Sequence, residues 1–306
     1  MWRPSKEATV GSVKVGSAPD SWGVWFANDE QQTPWERFLD EVAGAGYTRI
    51  ELGPYGYLPT DPAQLKEELD KRGLEVTAGT IFEHLHREDS WDSTWRDVSA
   101  AAELAAAMGA KHLVVIPSMW RGSDGEVVEP RLDHEGQARH GKQVTELGRR
   151  IAAEYGLKTQ FHPHADGHVD SQETVERFLA ETDGEYVNLC LDTGHISYCG
   201  GDNLELIRKY PERIGYVHLK QVDPAVLAQV EADGVGFDEA VRRGVMCEPP
   251  LGVPDLPPVL DALAGLDADL FAIVEQDLYP CPPDVPLPIA ERTLAYLRTH
   301  GGGVSA

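Results

Sequence analysis

Short apolar runs alternate with amphipathic segments eight times along this 306-residue chain, and no other feature restricts the fold as much. Runs such as Leu113-Val114-Val115-Ile116 and Phe271-Ala272-Ile273-Val274 are apolar at consecutive positions, as in parallel strands covered by helices. The predicted strands are 13–19, 48–52, 74–81, 111–117, 157–162, 187–192, 214–218 and 270–275. Helix signals lie between them. Thr33-Pro34 opens a helix whose Trp35, Phe38, Leu39 and Val42 share one face. Asp61-Pro62 opens another, closed at Gly73, and Trp91, Trp95, Val98, Ala102 and Ala105 mark a third. Further helices are predicted up to Tyr155 and over 172–180, 203–209, 255–266 and 289–299.

Eight strand–helix units joined by short turns, with no shift in composition, predict one domain: a single (β/α)8 TIM barrel over 13–299. A loose tail is expected at 1–12 and a disordered Gly-rich one at 300–306. The segment 220–253, rich in Gly, Pro and acidic residues, is an insertion at the carboxyl-terminal mouth with its own helix near 225–232. A doubly wound open sheet is the competing topology, but no GxGxxG follows the first strand.

A formal charge of −24 argues against nucleic-acid and anionic-membrane partners, since both require attraction to phosphates. No apolar run reaches the length of a membrane span, and the first residues do not form a signal peptide. The four cysteines (Cys190, Cys199, Cys247 and Cys281) form no CxxC pair, so reduced thiols and a cytoplasmic location are expected. The sequence leaves the oligomeric state, including a homo-oligomer, open.

Polar residues ending the late strands carry the functional signal. The sixth strand runs Val187-Asn188-Leu189-Cys190-Leu191-Asp192 into Thr193-Gly194-His195. Alternation puts Asn188, Cys190 and Asp192 on one face, which ends in a carboxylate. Alone, Asp192 reads rather as an Asx-turn, bonding the backbone two residues on. Strand five, however, ends in His162-Pro163-His164, strand seven in His218 and strand eight in Glu275. Four consecutive strands thus place imidazole or carboxylate at the face where barrel enzymes build their sites. One divalent ion bound by His162, Asp192, His218 and Glu275 is expected, and the donors suit Mn, Co, Fe or Zn better than Ca or Mg.

Other residues carry two readings. Glu51, ending strand two, is either an acid/base or the partner of a lysine or arginine. His84 and His86 follow strand three and either line the mouth or are solvated, His86 being the bystander of the two. His195 is a proton-transfer group or a helix cap. Lys220 either stabilises an oxyanion or lies on the surface. Trp22 and Trp25 form an apolar wall for a ring-shaped substrate or pack in the core.

The segments FHPHADGHV, LDTGHIS, YVHLKQV and VEQD resemble those of the xylose-isomerase-like barrels, a superfamily of sugar phosphate isomerases and epimerases. The likeness runs from GSAPDSWGVW through AMGAKHLVVI to IVEQD, and HPH in place of a Glu-containing segment is similar to the inosose dehydratase branch. The superfamily's usual ligands are Glu, Asp, His and Glu; here imidazole (His162) stands at the first position. After strand seven, where the superfamily often shows HxKD and a Pro-Gly-acidic-Gly segment, this chain has Lys220-Gln221 and later Cys247-Glu248-Pro249-Pro250-Leu251-Gly252. That loop often contacts substrate, which the resemblance carries to Glu248 here, with Trp22 and His164 as further substrate contacts.

The resemblance implies a divalent-metal-dependent carbon–oxygen lyase of inositol catabolism, dehydrating a keto-inositol or related cyclic keto-polyol through an enediolate. Glu51 and His195, or Glu275, would take the α-proton; His84 or Lys220 would protonate the leaving hydroxyl. A sugar or ketose isomerase/epimerase of the same superfamily, or a non-catalytic barrel subunit, is the alternative.

Overall fold

Parallel pairing runs without a break from β1 (Val13–Ser17) through β2 (Arg49–Glu51), β3 (Glu75–Glu83), β4 (His112–Pro117), β5 (Lys158–Phe161), β6 (Val187–Asp192) and β7 (Ile214–Leu219) to β8 (Leu270–Val274). Strand β8 then pairs with β1, from Val13 against Leu270 to Ser17 against Val274, and so closes an eight-stranded barrel. The computed structural model describes residues 13–87, 89–266, 268–300 and 304–305. The tail expected at 1–12 lies outside them, as does most of the end expected at 301–306; Val304–Ser305 pair in parallel with Val13–Lys14.

Alternation along the strands explains both the apolar runs and the site. Outward positions such as Val115, Phe161, Leu189, Leu191, Val217 and Ala272 join the large core beneath the helices. Inward positions Ala78, Val114, Cys190, Tyr216 and Ile273 fill the lumen. Polar pairs complete that plug: Tyr216 Oη lies 2.7 Å from Thr77 Oγ1, and Gln160 Nε2 lies 2.9 Å from His112 Nδ1. Two residues beyond the lumen layer, at the carboxyl ends of the strands, the period of two delivers His162, Asp192, His218 and Glu275.

The helices begin where capping chemistry places them. Asp61 accepts from Gln64 N at 2.8 Å ahead of α2 (Pro62–Asp70), after α1 (Trp35–Gly44). Next come α3 (Trp91–Ala107), α4 (His134–Tyr155), capped by Asp133, and α5 (Gln172–Glu181), opened by a Ser171–Thr174 capping box. A short α6 (Thr193–Tyr198), unforeseen in the sequence, starts directly from Asp192, and α7 (Asn203–Lys209) follows.

The segment after β7 is more regular than its composition suggested. A two-stranded antiparallel pair, Gln221–Val222 with Met246–Cys247, brackets α8 (Pro224–Asp233) and α9 (Phe237–Arg242). Val222, Val230, Phe237, Val241 and Met246 form its own small apolar cluster. Asp166 Oδ2, in the loop after β5, accepts from Phe237 N at 2.7 Å and so fixes α9 over the mouth. The chain closes with α10 (Leu256–Ala264) and α11 (Pro286–His300). Among the described residues no helix is long and apolar enough to cross a membrane.

Candidate metal centre

At the carboxyl end of the barrel, one ligand atom each from His162, Asp192, His218 and Glu275 converges within 4.8 Å of the others, and all four residues are buried. His162 Nε2 lies 3.1 Å from Asp192 Oδ2, and His218 Nδ1 lies 2.7 Å from Glu275 Oε2 and 3.7 Å from Asp192 Oδ2. The opposite ring nitrogen of His218, Nε2, is 2.8 Å from Glu51 Oε1. Nε2–H donates to Glu51; burial alone would push the ring down, but Cys190, Glu275 and Glu51 hold it well above its ordinary value, so a bound ion would displace the Nδ1 proton. Despite its nearness to Glu275, the buried Nδ1 has no hydrogen-bond partner of adequate geometry. A carboxylate holding the far nitrogen of an imidazole whose near nitrogen is unpaired is the usual outer arrangement around a histidine ligand. The donor set, two imidazoles and two carboxylates, fits a divalent ion of borderline softness.

Asp192 does both things its sequence context allowed. Its Oδ1 caps α6 by accepting from His195 N at 2.7 Å, while Oδ2 faces His162 and His218. Thr193 ties α6 to the end of β7: its hydroxyl donates to Lys220 O at 2.7 Å and accepts from Lys220 N at 2.9 Å. Gly194 makes room for the Lys220 side chain, since a Cβ there would come within 2.6 Å of Lys220 Cγ. The Asp-Thr-Gly-His segment is therefore one device that places Asp192, Lys220 and His195 together.

Lys220 is buried, and four carboxylates reach its ammonium: Asp277 at 2.8 Å, Glu275 at 3.2 Å, Asp192 at 3.5 Å and Asp20 at 3.8 Å. Burial alone would push the lysine down, but Asp192, Asp277 and Glu275 hold it well above its ordinary value, so it stays charged. Burial pushes Asp192 up, yet the Lys220 ammonium, with hydrogen bonds from His162 and His218, holds it well below the carboxylate range; Asp20 is raised well above it by burial and by Glu275. Carboxylates outnumber this one ammonium, an imbalance that favours binding a further cation.

His195 Nδ1 accepts the backbone N–H of Ala165 at 3.1 Å. Burial, and then His164, push the imidazole well below its usual value, so the ring is neutral and carries its proton on Nε2. That Nε2 lies 3.5 Å from Lys220 Nζ. Two donors, an imidazole N–H and an ammonium, thus meet beside the four-ligand centre.

Above them opens a cavity of about 500 Å³. Its floor includes His162, His195, Lys220 and Glu275; its walls include Trp25, Phe26, Tyr55, Phe82 and Phe237. His164 lines it too, 4.1 Å from the His195 ring between centroids.

Not every residue singled out in the sequence reaches this cavity. Trp22 is fully buried, packed edge-on against Phe38 with Nε1 donating to Glu41 at 2.9 Å, so Trp25 supplies the wall instead. Glu248 pairs with Arg292 at 2.9 Å on the surface, away from the lining. His84 is exposed and outside the lining. Glu51 lines the cavity, but one oxygen holds His218 and the other accepts from Thr80 Oγ1 at 2.7 Å. Its partner is a histidine rather than the lysine or arginine considered above. Sequence reasoning passed over Asp20 and Asp277. Asp277 lies two residues past Glu275, so alternation along IVEQD was the available signal; Asp20, in the turn after β1, had none.

The description "Xylose isomerase-like TIM barrel" belongs to a family model that matches residues 39–300. The chain is 33% identical over 285 residues to the rhizopine catabolism protein MocC of Rhizobium meliloti, covering 90% of this chain and 85% of that one. It is 32% identical over 291 residues to the inosose dehydratase of Geobacillus kaustophilus, covering 90% of each. Among solved structures, the IOLI protein with a binding zinc atom superposes with a TM-score of 0.69 at 18% identity, over 95% of this chain and 99% of that one. The 3-keto-D-glucoside 4-epimerase YcjR of E. coli gives 0.68 at 16%, over 94% and 99%. The structural likenesses speak for the fold; the family match, spanning the barrel from α1 to α11, makes this chain a member of the xylose isomerase-like TIM barrel family.

Proposed function

We propose that this protein is a divalent-metal-dependent dehydratase acting on a keto-inositol or a related cyclic keto-polyol. The pairing of His195 Nε2–H with the Lys220 ammonium, 3.5 Å apart beside the four-ligand centre, is the observation that carries this reading. The inosose dehydratase names of several relatives support the same substrate class. A divalent ion held by His162, Asp192, His218 and Glu275 would supply Lewis acidity, polarising a carbonyl and easing loss of the neighbouring α-proton.

The cavity suits a polyhydroxylated ring, with aromatic side chains for its faces and charged groups below for its hydroxyls. Of the three bases considered, Glu275 is the best placed. Glu51 has both oxygens engaged, and the bare nitrogen of His195 holds Ala165 N–H. Glu275 is held at about 2: burial pushes it up, but His218 and Lys220 outweigh that, so it is ionised and able to accept the α-proton. Loss of that proton gives an enediolate. Lys220 then donates a proton to the β-hydroxyl as its C–O bond breaks, water departs and a carbon–carbon double bond forms. Glu275, holding the ion through one oxygen only, takes the proton on the other and returns it to Lys220, whose Nζ lies 3.2 Å from this carboxylate, so that both groups are restored. His195 Nε2–H holds the departing oxygen in place.

Incubating the metal-loaded protein with 2-keto-myo-inositol in deuterated water tests this reading. Loss of water, abolished in Lys220→Met, is expected. Incorporation of solvent deuterium with no loss of water would instead establish the epimerase reading. Neither change, together with purification free of metal, would leave a non-catalytic barrel.

A further inference from the structure

A second constellation of metal-binding type lies on the rim, apart from the barrel centre. His86 follows β3, Glu129 sits in the loop between β4 and α4, and His168 lies in the loop after β5. One ligand atom from each converges within 4.8 Å of the others. His168 Nε2 is 2.9 Å and His86 Nε2 3.1 Å from the same oxygen, Glu129 Oε1. The other oxygen, Oε2, is held by Arg87 Nη2 at 2.6 Å, which aims Oε1 at the imidazoles. None of the three residues lines the large cavity.

Hydrogen bonding within the cluster leaves it unfinished. Both Nε2 atoms crowd onto one carboxylate oxygen, while the buried Nδ1 atoms of His86 and His168, the other nitrogen of each ring, have no partner. A third imidazole, His140 on α4, packs against them with ring centroids 6.3 Å from His86; it is 1% exposed, and neither of its nitrogens has a partner. Buried polar atoms are almost always satisfied, and with no partner on Nδ1 to fix the tautomer, Nε2 of His86 and of His168 can each turn a lone pair to the point they share with Glu129. Two imidazoles and a carboxylate that present three donors to one point match the protein ligands of three-ligand zinc sites.

We propose that His86, Glu129 and His168 bind a second divalent ion of the zinc class that staples together the loops following β3, β4 and β5. The β4 and β5 loops already meet through Met119 opposite Gly167 and through Trp120 N donating to Asp166 O at 2.8 Å. The staple adds the β3 loop to that pair. Glu83, Met119 and His164, on the same three segments, line the substrate-sized cavity, so the ion fixes one side of its wall.

Metal counting on the whole chain tests the proposal. Chelator-stripped protein is reloaded with zinc, passed through gel filtration and analysed for metal per chain. Two equivalents are expected in the wild type and one in His168→Ala. One is also expected in Asp192→Asn, which removes the barrel-centre site alone. His86→Gln, a milder change, should lose the same equivalent as His168→Ala, and cobalt-loaded protein should lose the matching part of its visible absorption. Zinc content and cobalt spectrum identical in wild type, His86→Gln and His168→Ala would overturn the rim site. Loss of metal only in Asp192→Asn would do the same while leaving the proposed function intact. One equivalent in the wild type that is lost only with His86 or His168 would keep the rim site and remove the barrel-centre reading.

Discussion

Glu51 Oε1 lies 2.8 Å from His218 Nε2, so a carboxylate on the second strand orients an imidazole on the seventh, 167 positions away in the chain. The second oxygen of Glu51 is held by Thr80, so the carboxylate cannot swing away. Outer carboxylates of this kind typically contribute about 10–100-fold to metal affinity or activity. Glu51→Gln should therefore weaken metal binding by about that factor and leave the fold intact, as measured by competitive chelator titration and circular dichroism. Unchanged metal affinity with activity abolished would return Glu51 to the role of proton acceptor.

Lys220 is the ammonium on which four carboxylates converge. Lys220→Met should lower kcat by about 10²–10³-fold, the range for removing one positioned acid or charge-stabilising group. Gly194→Ala should show a weaker form of the same defect, because the added methyl meets Lys220 Cγ and Cβ at 2.6 and 2.7 Å. Steady-state rates of both variants, with metal content confirmed, give the comparison. A Lys220→Met enzyme within a few-fold of wild type would exclude the lysine from the proton path.

His195 offers a fixed N–H because its other nitrogen is occupied by Ala165. A glutamine at this position can accept that backbone bond through its amide oxygen and donate through its nitrogen; alanine can do neither. His195→Gln is expected to keep clearly more activity than His195→Ala, whose kcat should fall about 10²-fold. If both variants are equally inactive and the wild-type pH–rate profile loses a limb in each, His195 transfers a proton instead.

Stability should fall in mild acid through buried histidines outside the four-residue cluster. Burial pushes His112 down to about 4 and His140 to about 3, from an ordinary value of 6.5. Below 6.5 the unfolded chain takes up protons that the folded chain refuses. The stabilisation from each neutral imidazole is therefore complete above 6.5 and is lost as pH falls through the interval down to its folded value. Each contributes a slope of up to about 1.4 kcal/mol per pH unit in that interval. Urea midpoints of metal-stripped protein at pH 5 and pH 7 should differ accordingly, and His112→Gln should flatten the dependence. Equal midpoints in the wild type would contradict it.

Legible in the sequence alone were the barrel and the gathering of His162, Asp192, His218 and Glu275 at one end of it. Both rest on local periodicity: eight apolar runs set the strands, and a period of two fixes which side chain stands at each strand's open end. Asp192, His218 and Glu275 could be aligned without any knowledge of which strands touch, because closing the barrel brings every carboxyl end to one face. Roles within the site were not legible in the same way. Whether Glu51 serves as a base or holds His218, and which nitrogen of His195 carries its proton, depends on partners across the lumen. Trp22 and Trp25 stand three residues apart in one turn, and only the packing of Phe38 and Tyr279 sends the first into the core and the second to the cavity. His86, Glu129 and His168 lie on three loops with no common period, so their convergence exists only once the strands that carry those loops are neighbours. Local chemistry fixed the strand ends; tertiary packing decided what each of them faces.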